Sequence, residues 1–127
     1  MITDNMLIQV AKAIEGTSYD VPSYTAIGTD TAMTEIQSTT EQLSGEIGTR
    51  MSSSILRSGN QVEYSAIRSG ASVIDTANGD DLTSFGVFSD ATQSTSDLLL
   101  TGVAIAGTLH TTAYDIEFIT QLEVERK

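Results

Sequence analysis

Apolar residues recur along this chain with two periods, and the change from one to the other sets out its architecture. Near the start, Leu7, Val10, Ala11 and Ile14 stand at i, i+3, i+4 and i+7, the spacing of one helical stripe. Thr3 or Asp4 is placed to cap that helix, and Asp4 also suits the positive end of its dipole. Gly16 is placed to end it in a left-handed conformation. A helix this short needs packing to persist, so Leu7, Val10 and Ile14 are expected to be buried, each contributing about 1.5–3 kcal/mol.

After Pro22 the period falls to two. Tyr24 to Ile27 reads as a short strand ending at Gly28. Residues 29–40 are polar and Thr-rich with no sustained period, an irregular excursion over the surface. Thr40 to Ile47 has the spacing of a helical turn, with Leu43 and Ile47 four apart. Arg50 to Arg57 then reads as a strand with Met51, Ser53 and Ile55 on one face, turned back by Ser58-Gly59-Asn60. On the return, Gln61 to Arg68, Val62, Tyr64 and Ala66 alternate with Gln61, Glu63 and Ser65, the mark of a half-buried antiparallel strand.

Asp75 to Asp81 reads as a loop around Asn78-Gly79 and Leu82 to Phe88 as a further strand. Gly86 within it predicts a bulge or a close backbone approach. Phe85 and Phe88 are placed on opposite faces, so that either one serves the chain's own core and the other a contact between subunits, or both are covered by loops of the same chain. Ala91 to Asp97 is a polar loop. Leu98 to Ile105, with Leu99 among its candidates for core or interface, is apolar on both faces and so is expected to be central or buried in an interface. In the last strand Tyr114, Ile116, Phe118, Thr120, Leu122 and Val124 form one face, and Asp115, Glu117, Gln121, Glu123 and Glu125 lie on the other. Six strands joined by polar turns predict a mainly β fold, an antiparallel β-sandwich or jelly roll with one N-terminal helix. The 127 residues are expected to form a single domain, helix over 1–16 and sandwich over 17–127.

Charge changes this picture most. Seventeen acidic residues stand against six basic ones, a formal net charge of −11. Self-repulsion of that size is costly in dilute buffer, whereas molar salt shortens the Debye length to about 3 Å and screens it. An acidic chain with only Lys12 and Lys127 as lysines therefore fits a halophilic setting. The basic residues are scattered, which argues against nucleic acid as a partner. No apolar run approaches a membrane span, and the N-terminus lacks the basic and apolar regions of a signal peptide, so assembly inside a cell with no membrane partner is expected. Aromatics make up 6% with no Trp, and such a thin core favours self-association.

Chemistry is sparse. There is no cysteine, hence no disulfide framework and no thiolate. His110 is alone in a Gly- and Thr-rich connection and reads as a surface or turn residue. No serine sits in a G-x-S-x-G elbow, and no Gly-rich phosphate loop is present. Asp75, Asn78, Asp80 and Asp81 could bind Ca²⁺, but their spacing departs from an EF-hand loop and a solvated turn is the plainer reading. Seventeen acids leave a carboxylate pair for glycoside hydrolysis open by count alone. No enzyme activity and no cofactor are expected.

Four stretches carry a resemblance. Ala26-Ile27-Gly28-Thr29 resembles an early strand ending in a Gly-Thr turn; Leu43, Glu46, Ile47 and Arg50 resemble an L-x-x-E-[IV]-x-x-R step; Leu82-Thr83-Ser84-Phe85-Gly86-Val87-Phe88 resembles an I-T-E-x-G-L-F strand; Leu98 to Leu100 with Tyr114 to Val124 resembles a closing strand pair. Together, from about Tyr24 onward, they resemble small tail-fibre or virion structural proteins of tailed viruses. Ser84 stands where that family usually carries Glu, and the Lys often found before its last strand is missing. The resemblance implies a β-sandwich that assembles, often as a trimer, with other virion proteins on a tail tip, baseplate or capsid surface, and it implies no catalysis. Capsid decoration is the alternative location. A carbohydrate-binding module, with Tyr19 and Tyr24 as its aromatics, is the alternative class.

Overall fold

The computed structural model describes residues 2–29, 39–43, 45–70, 82–92, 96–103, 111–113 and 115–125. One helix, α1 (Asp4–Glu15), precedes seven strands: β1 (Tyr24–Gly28), β2 (Glu46–Ser52), β3 (Ser54–Ser58), β4 (Gln61–Arg68), β5 (Ser84–Phe88), β6 (Leu98–Val103) and β7 (Ile116–Glu123). They form two antiparallel sheets, a four-stranded one in the order β2-β1-β5-β6 and a three-stranded one in the order β3-β4-β7. The fold is a β-sandwich with one N-terminal helix. The eight strands of a jelly roll are not found among the described residues.

The core lies between the sheets. Ile27, Leu82 and Phe118 are buried there with Ile47, Met51, Phe85 and Ile116 packed against them. The rings of Phe85 and Phe118 tilt at 46° with centroids 5.4 Å apart, a favourable aromatic geometry. Beside them Met6 of the helix joins Tyr64, Val87, Leu99 and Leu100, with Val62 and Leu122 at the margin. A third cluster, Ala26, Leu43, Phe88 and Leu98, packs on the far side of the four-stranded sheet. That sheet is therefore covered on both faces, which its residue pattern reflects: β1 is buried at four consecutive positions.

Several expectations change. Glu46 and Ile47 belong to strand β2, not to a helical turn from Thr40; Leu43 is buried just ahead of it. The single strand expected over Arg50–Arg57 is two strands in different sheets. The chain crosses at Ser53, whose N–H donates to Ser23 O (2.8 Å) and whose hydroxyl pairs with that of Thr25 (2.8 Å). Met51 and Ile55 consequently do not share a face: Met51 packs in the core and Ile55 is exposed.

Strand β6 is not central. It forms an edge, and its apolar run is covered because the N-terminus lies along it. Ile2 bridges to Leu100, and the Thr3 N–H donates to Leu99 O (3.1 Å). Opposite β5 the register slips between Val87 and Phe88, leaving Leu99 as an extra residue. A bulge of this kind breaks the alternation, so Leu98 joins the far-side cluster while Leu99 and Leu100 both enter the core. Phe85 and Phe88 both find partners in their own chain; Phe88 is fully buried, not an intersubunit contact.

Candidate interaction surfaces

Helix α1 begins and ends as its sequence dictates. Thr3 is the N-cap, its hydroxyl accepting from Met6 N–H (3.3 Å), and Gly16 ends the helix at φ 86° with its N–H on Lys12 O (3.0 Å). Its orientation is the reverse of the expected one. Asn5, Gln9 and Lys12, at i, i+4 and i+7, are the half-buried stripe, and Met6 is the buried apolar residue. Leu7 (57% exposed), Val10 (42%) and Ile14 (83%) point to solvent and lie outside the chain's own core.

Hydrogen bonds hold the helix this way round. Thr3 Oγ1 lies 2.8 Å from Leu98 O and 2.9 Å from Leu99 O, so its one proton is shared between them. Asn5 Nδ2 donates to Ser96 O (3.3 Å), and Gln9 Oε1 accepts from Asp20 N–H (2.8 Å). These polar side chains satisfy loop backbone groups only if they face the body, which leaves the apolar stripe outward.

The far face of the four-stranded sheet is closed by Arg50, the last residue of the Leu43, Glu46, Ile47, Arg50 step. Arg50 is 4% exposed. Its Nε and Nη2 donate to the two carboxylate oxygens of Glu46 (3.1 and 3.0 Å), and Nη1 donates to Asp97 Oδ1 (3.1 Å) and Asp90 O (2.9 Å). Its guanidinium carbon sits 3.6 Å from the centroid of the Phe88 ring. Fork geometry and stacking together call for Arg and not Lys. Residues i and i+4 of a regular strand lie too far apart for this pairing. Here β2 bulges: Thr25 and Ile27 of β1 face Met51 and Ile47, and Gly48 supplies the left-handed φ of 71° within that bulge. The Leu43, Glu46, Ile47, Arg50 motif thus marks a buried ion pair under a bulge and one wall of the far-side cluster.

The three-stranded sheet is covered on one face only. Along β4 and β7 the inward residues are Tyr64, Ala66 and Phe118, and the outward residues include Glu63, Ile67 (62% exposed), Glu117 and Ile119 (49%). The acidic outer face expected of the last strand is therefore interrupted by isoleucine. Val124, expected on the apolar face, is 67% exposed. Strand β3 is exposed at every position, with Ile55 at 54% and Leu56 at 66%. Strand β4 lies against β2 and β1, and β7 lies beside β6. Consequently β3, one strand spacing further out, overhangs the edge of the other sheet and is exposed throughout, with no strand beneath it among the described residues.

Charge sharpens the contrast between patches. Nine described carboxylate residues are exposed against one exposed basic residue, Arg57, because Arg50 and Arg68 are buried. The surface is thus more acidic than composition alone implies. Burial pushes the Tyr64 phenol above the ordinary value of 10.0.

A small open cleft of about 170 Å³ lies between the first turn of α1 and Thr39–Glu41. Asp4 and Glu41 line it, so the helix N-terminus there meets carboxylates and disfavours anions. Among the described residues no three His, Cys, Asp or Glu are grouped to hold a metal ion. Asp75, Asn78, Asp80 and Asp81 lie outside the described residues, as do His110 and Tyr114. Among the described residues no helix is long and apolar enough to cross a membrane. What fold and surface define is an acidic β-sandwich that leaves apolar side chains uncovered on its helix and on one overhanging strand. Comparison with protein-family models, curated proteins and solved structures finds no match to this chain.

Proposed function

We propose that this chain is a non-enzymatic structural component of the virion of a tailed virus of a halophile, assembling with copies of itself and with other virion proteins on the tail or baseplate. The observation that carries the reading is the pairing of an acidic sandwich with uncovered apolar residues on α1 and β3. Large exposed apolar patches mark contact surfaces, and screening by salt lets acidic chains approach one another. The resemblance of four stretches to tail-fibre and virion structural proteins supplies the particle.

Light scattering and circular dichroism across a salt series test the assembly. The expected result is a folded oligomer in molar salt that loses structure on dialysis to dilute buffer; a folded monomer at both ends of the series overturns it. Copy number in purified virions separates a tail location from capsid decoration. Carbohydrate binding is a second reading, favoured by Tyr19, which is 51% exposed. Glycan binding by the isolated protein at high salt would select it.

A further inference from the structure

We propose that β3 is a docking edge for a second copy of this chain, the two β3 strands pairing antiparallel about a two-fold axis through Leu56 to make one continuous six-stranded sheet. The inference rests on the reading that the chain self-associates, and it names where.

Backbone geometry comes first. In the β4–β7 ladder Val124 N–H donates to Asn60 O (3.0 Å), and Asn60 Nδ2 donates to Val124 O (2.8 Å). Antiparallel pairs alternate between bonded and non-bonded, so Val62, Tyr64 and Ala66 exchange their backbone bonds with β7. Gln61, Glu63 and Ser65 exchange theirs with Ser58, Leu56 and Ser54 of β3. The backbone groups of Ile55 and Arg57 are left pointing outward along the free edge. Two such edges satisfy each other in one register that uses the whole strand: Ile55 opposite the partner's Arg57, twice over, forming about four backbone hydrogen bonds. Leu56 then meets its own copy in the non-bonded position, where opposed side chains come closest.

Side chains and charge select the same partner. Both faces of β3 are bare, so pairing covers Leu56 on one side and sets the Arg57 stem against the partner's Ile55 on the other. Strand β3 is the one described strand with a net positive charge in a chain of −11, so two copies meet at their least repulsive line. Strand β7, the opposite edge of this sheet, rejects the equivalent arrangement. A two-fold about Thr120 would bring Glu117 against the partner's Glu123. No lysine or proline guards β3, the usual protection of an edge that is to stay single.

The full chain with Leu56→Cys tests this directly, because it then carries a single thiol. Opposed α-carbons in a non-bonded antiparallel pair stand about 4.5 Å apart, within disulfide range. In molar salt under air, two thiols lose two electrons and two protons to oxygen and become one interchain disulfide. Near-complete conversion to covalent dimer is expected, against little for Ile67→Cys, which is exposed on the same face but off the axis. Equal cross-linking of the two variants overturns the proposal, as does none by Leu56→Cys. If wild-type protein is still larger than a monomer in that second case, self-association stands and the β3 pairing falls. If wild type is monomeric at every salt concentration, both fall. Ile55→Pro removes an outward N–H without touching the β4 ladder and is expected to give a folded monomer by circular dichroism and light scattering. A folded Ile55→Pro oligomer of wild-type mass also overturns the pairing.

Discussion

The two sheets of this sandwich are built to different rules. The β2-β1-β5-β6 sheet has packing on both faces: the shared core on one, and on the other Ala26, Leu43, Phe88 and Leu98 closed over by Arg50. The β3-β4-β7 sheet has packing on one face, and its β3 edge has none. Stability in such a molecule should be concentrated in the first sheet and tolerance to change in the second. Surface left uncovered in the second is free to serve contacts with other chains. The difference shows that the acidic, solvated look of the composition conceals one sheet whose inner strands, β1 and β5, are nearly all interior.

Arg50→Ala should strain that comparison most. It strips the cation from Glu46, whose side chain is 2% exposed, and from Asp97. Removing one partner of a buried pair costs about 3–5 kcal/mol, chiefly because the other charge stays buried without its counter-ion. Urea unfolding at fixed molar salt measures it. Ile67→Thr, on the exposed face of the other sheet, should stay within about 0.5 kcal/mol in the same assay. Similar losses in the two variants would erase the distinction between the sheets.

Gly86→Ala comes next. A β-carbon there would lie 2.5 Å from Leu98 Cδ1 and 3.3 Å from Leu100 O. Leu98 is fully buried and has little room to yield, so overpacking should cost about 1–3 kcal/mol by the same unfolding assay. A neutral Gly86→Ala would mean that the far-side cluster repacks freely and is not the rigid layer described above.

How much of this was legible in the residues follows from the same contrast. Strand β4 was read to its ends because one covered face writes itself as strict alternation, and the cap residues Thr3 and Gly16 announced the helix. Where both faces are covered, alternation vanishes: Leu98 to Ile105 read as a strand either central or buried in an interface, although β6 forms an edge sealed by the N-terminus. Leu43 and Ile47 stand at a helical interval, but a bulge with Gly48 turned that interval into a strand. The apolar stripe of α1 was correctly seen and wrongly buried, because periodicity shows which residues share a face and not which way that face turns. Of the residues expected in the core or at an interface, Phe85, Phe88, Leu99, Ile116 and Phe118 sit in or against their own chain's clusters. Glu46 and Arg50 stood together in one local step, but nothing there marked Arg50 as buried, since its second carboxylate, Asp97, is 47 residues away and the Phe88 ring under it is on another strand.

Tyr64 anchors the three-stranded sheet to the core and sharpens the comparison under alkali. Burial raises the Tyr64 phenol above its ordinary value of 10.0. An acid that holds its proton more tightly when folded contributes stability that is intact below the unfolded value and is lost as pH climbs through the folded one. Wild type should therefore lose stability above about pH 10, and Tyr64→Phe should flatten that limb while changing little at neutral pH. Parallel alkaline limbs in the two proteins would assign the loss to other groups.

The smallest effect concerns two buried hydroxyls. Thr3 and Ser84 are both wholly inaccessible. Thr3 caps the helix and bonds to β6, whereas Ser84 Oγ has no hydrogen-bond partner among the described residues. A buried hydroxyl without a partner carries a desolvation penalty that its removal relieves. Ser84→Ala should thus be neutral or raise stability by up to about 1 kcal/mol, despite the smaller side chain. A measurable loss of stability in Ser84→Ala would mean that the hydroxyl is bonded after all and that this end of β5 is held by polar contacts as well as by packing.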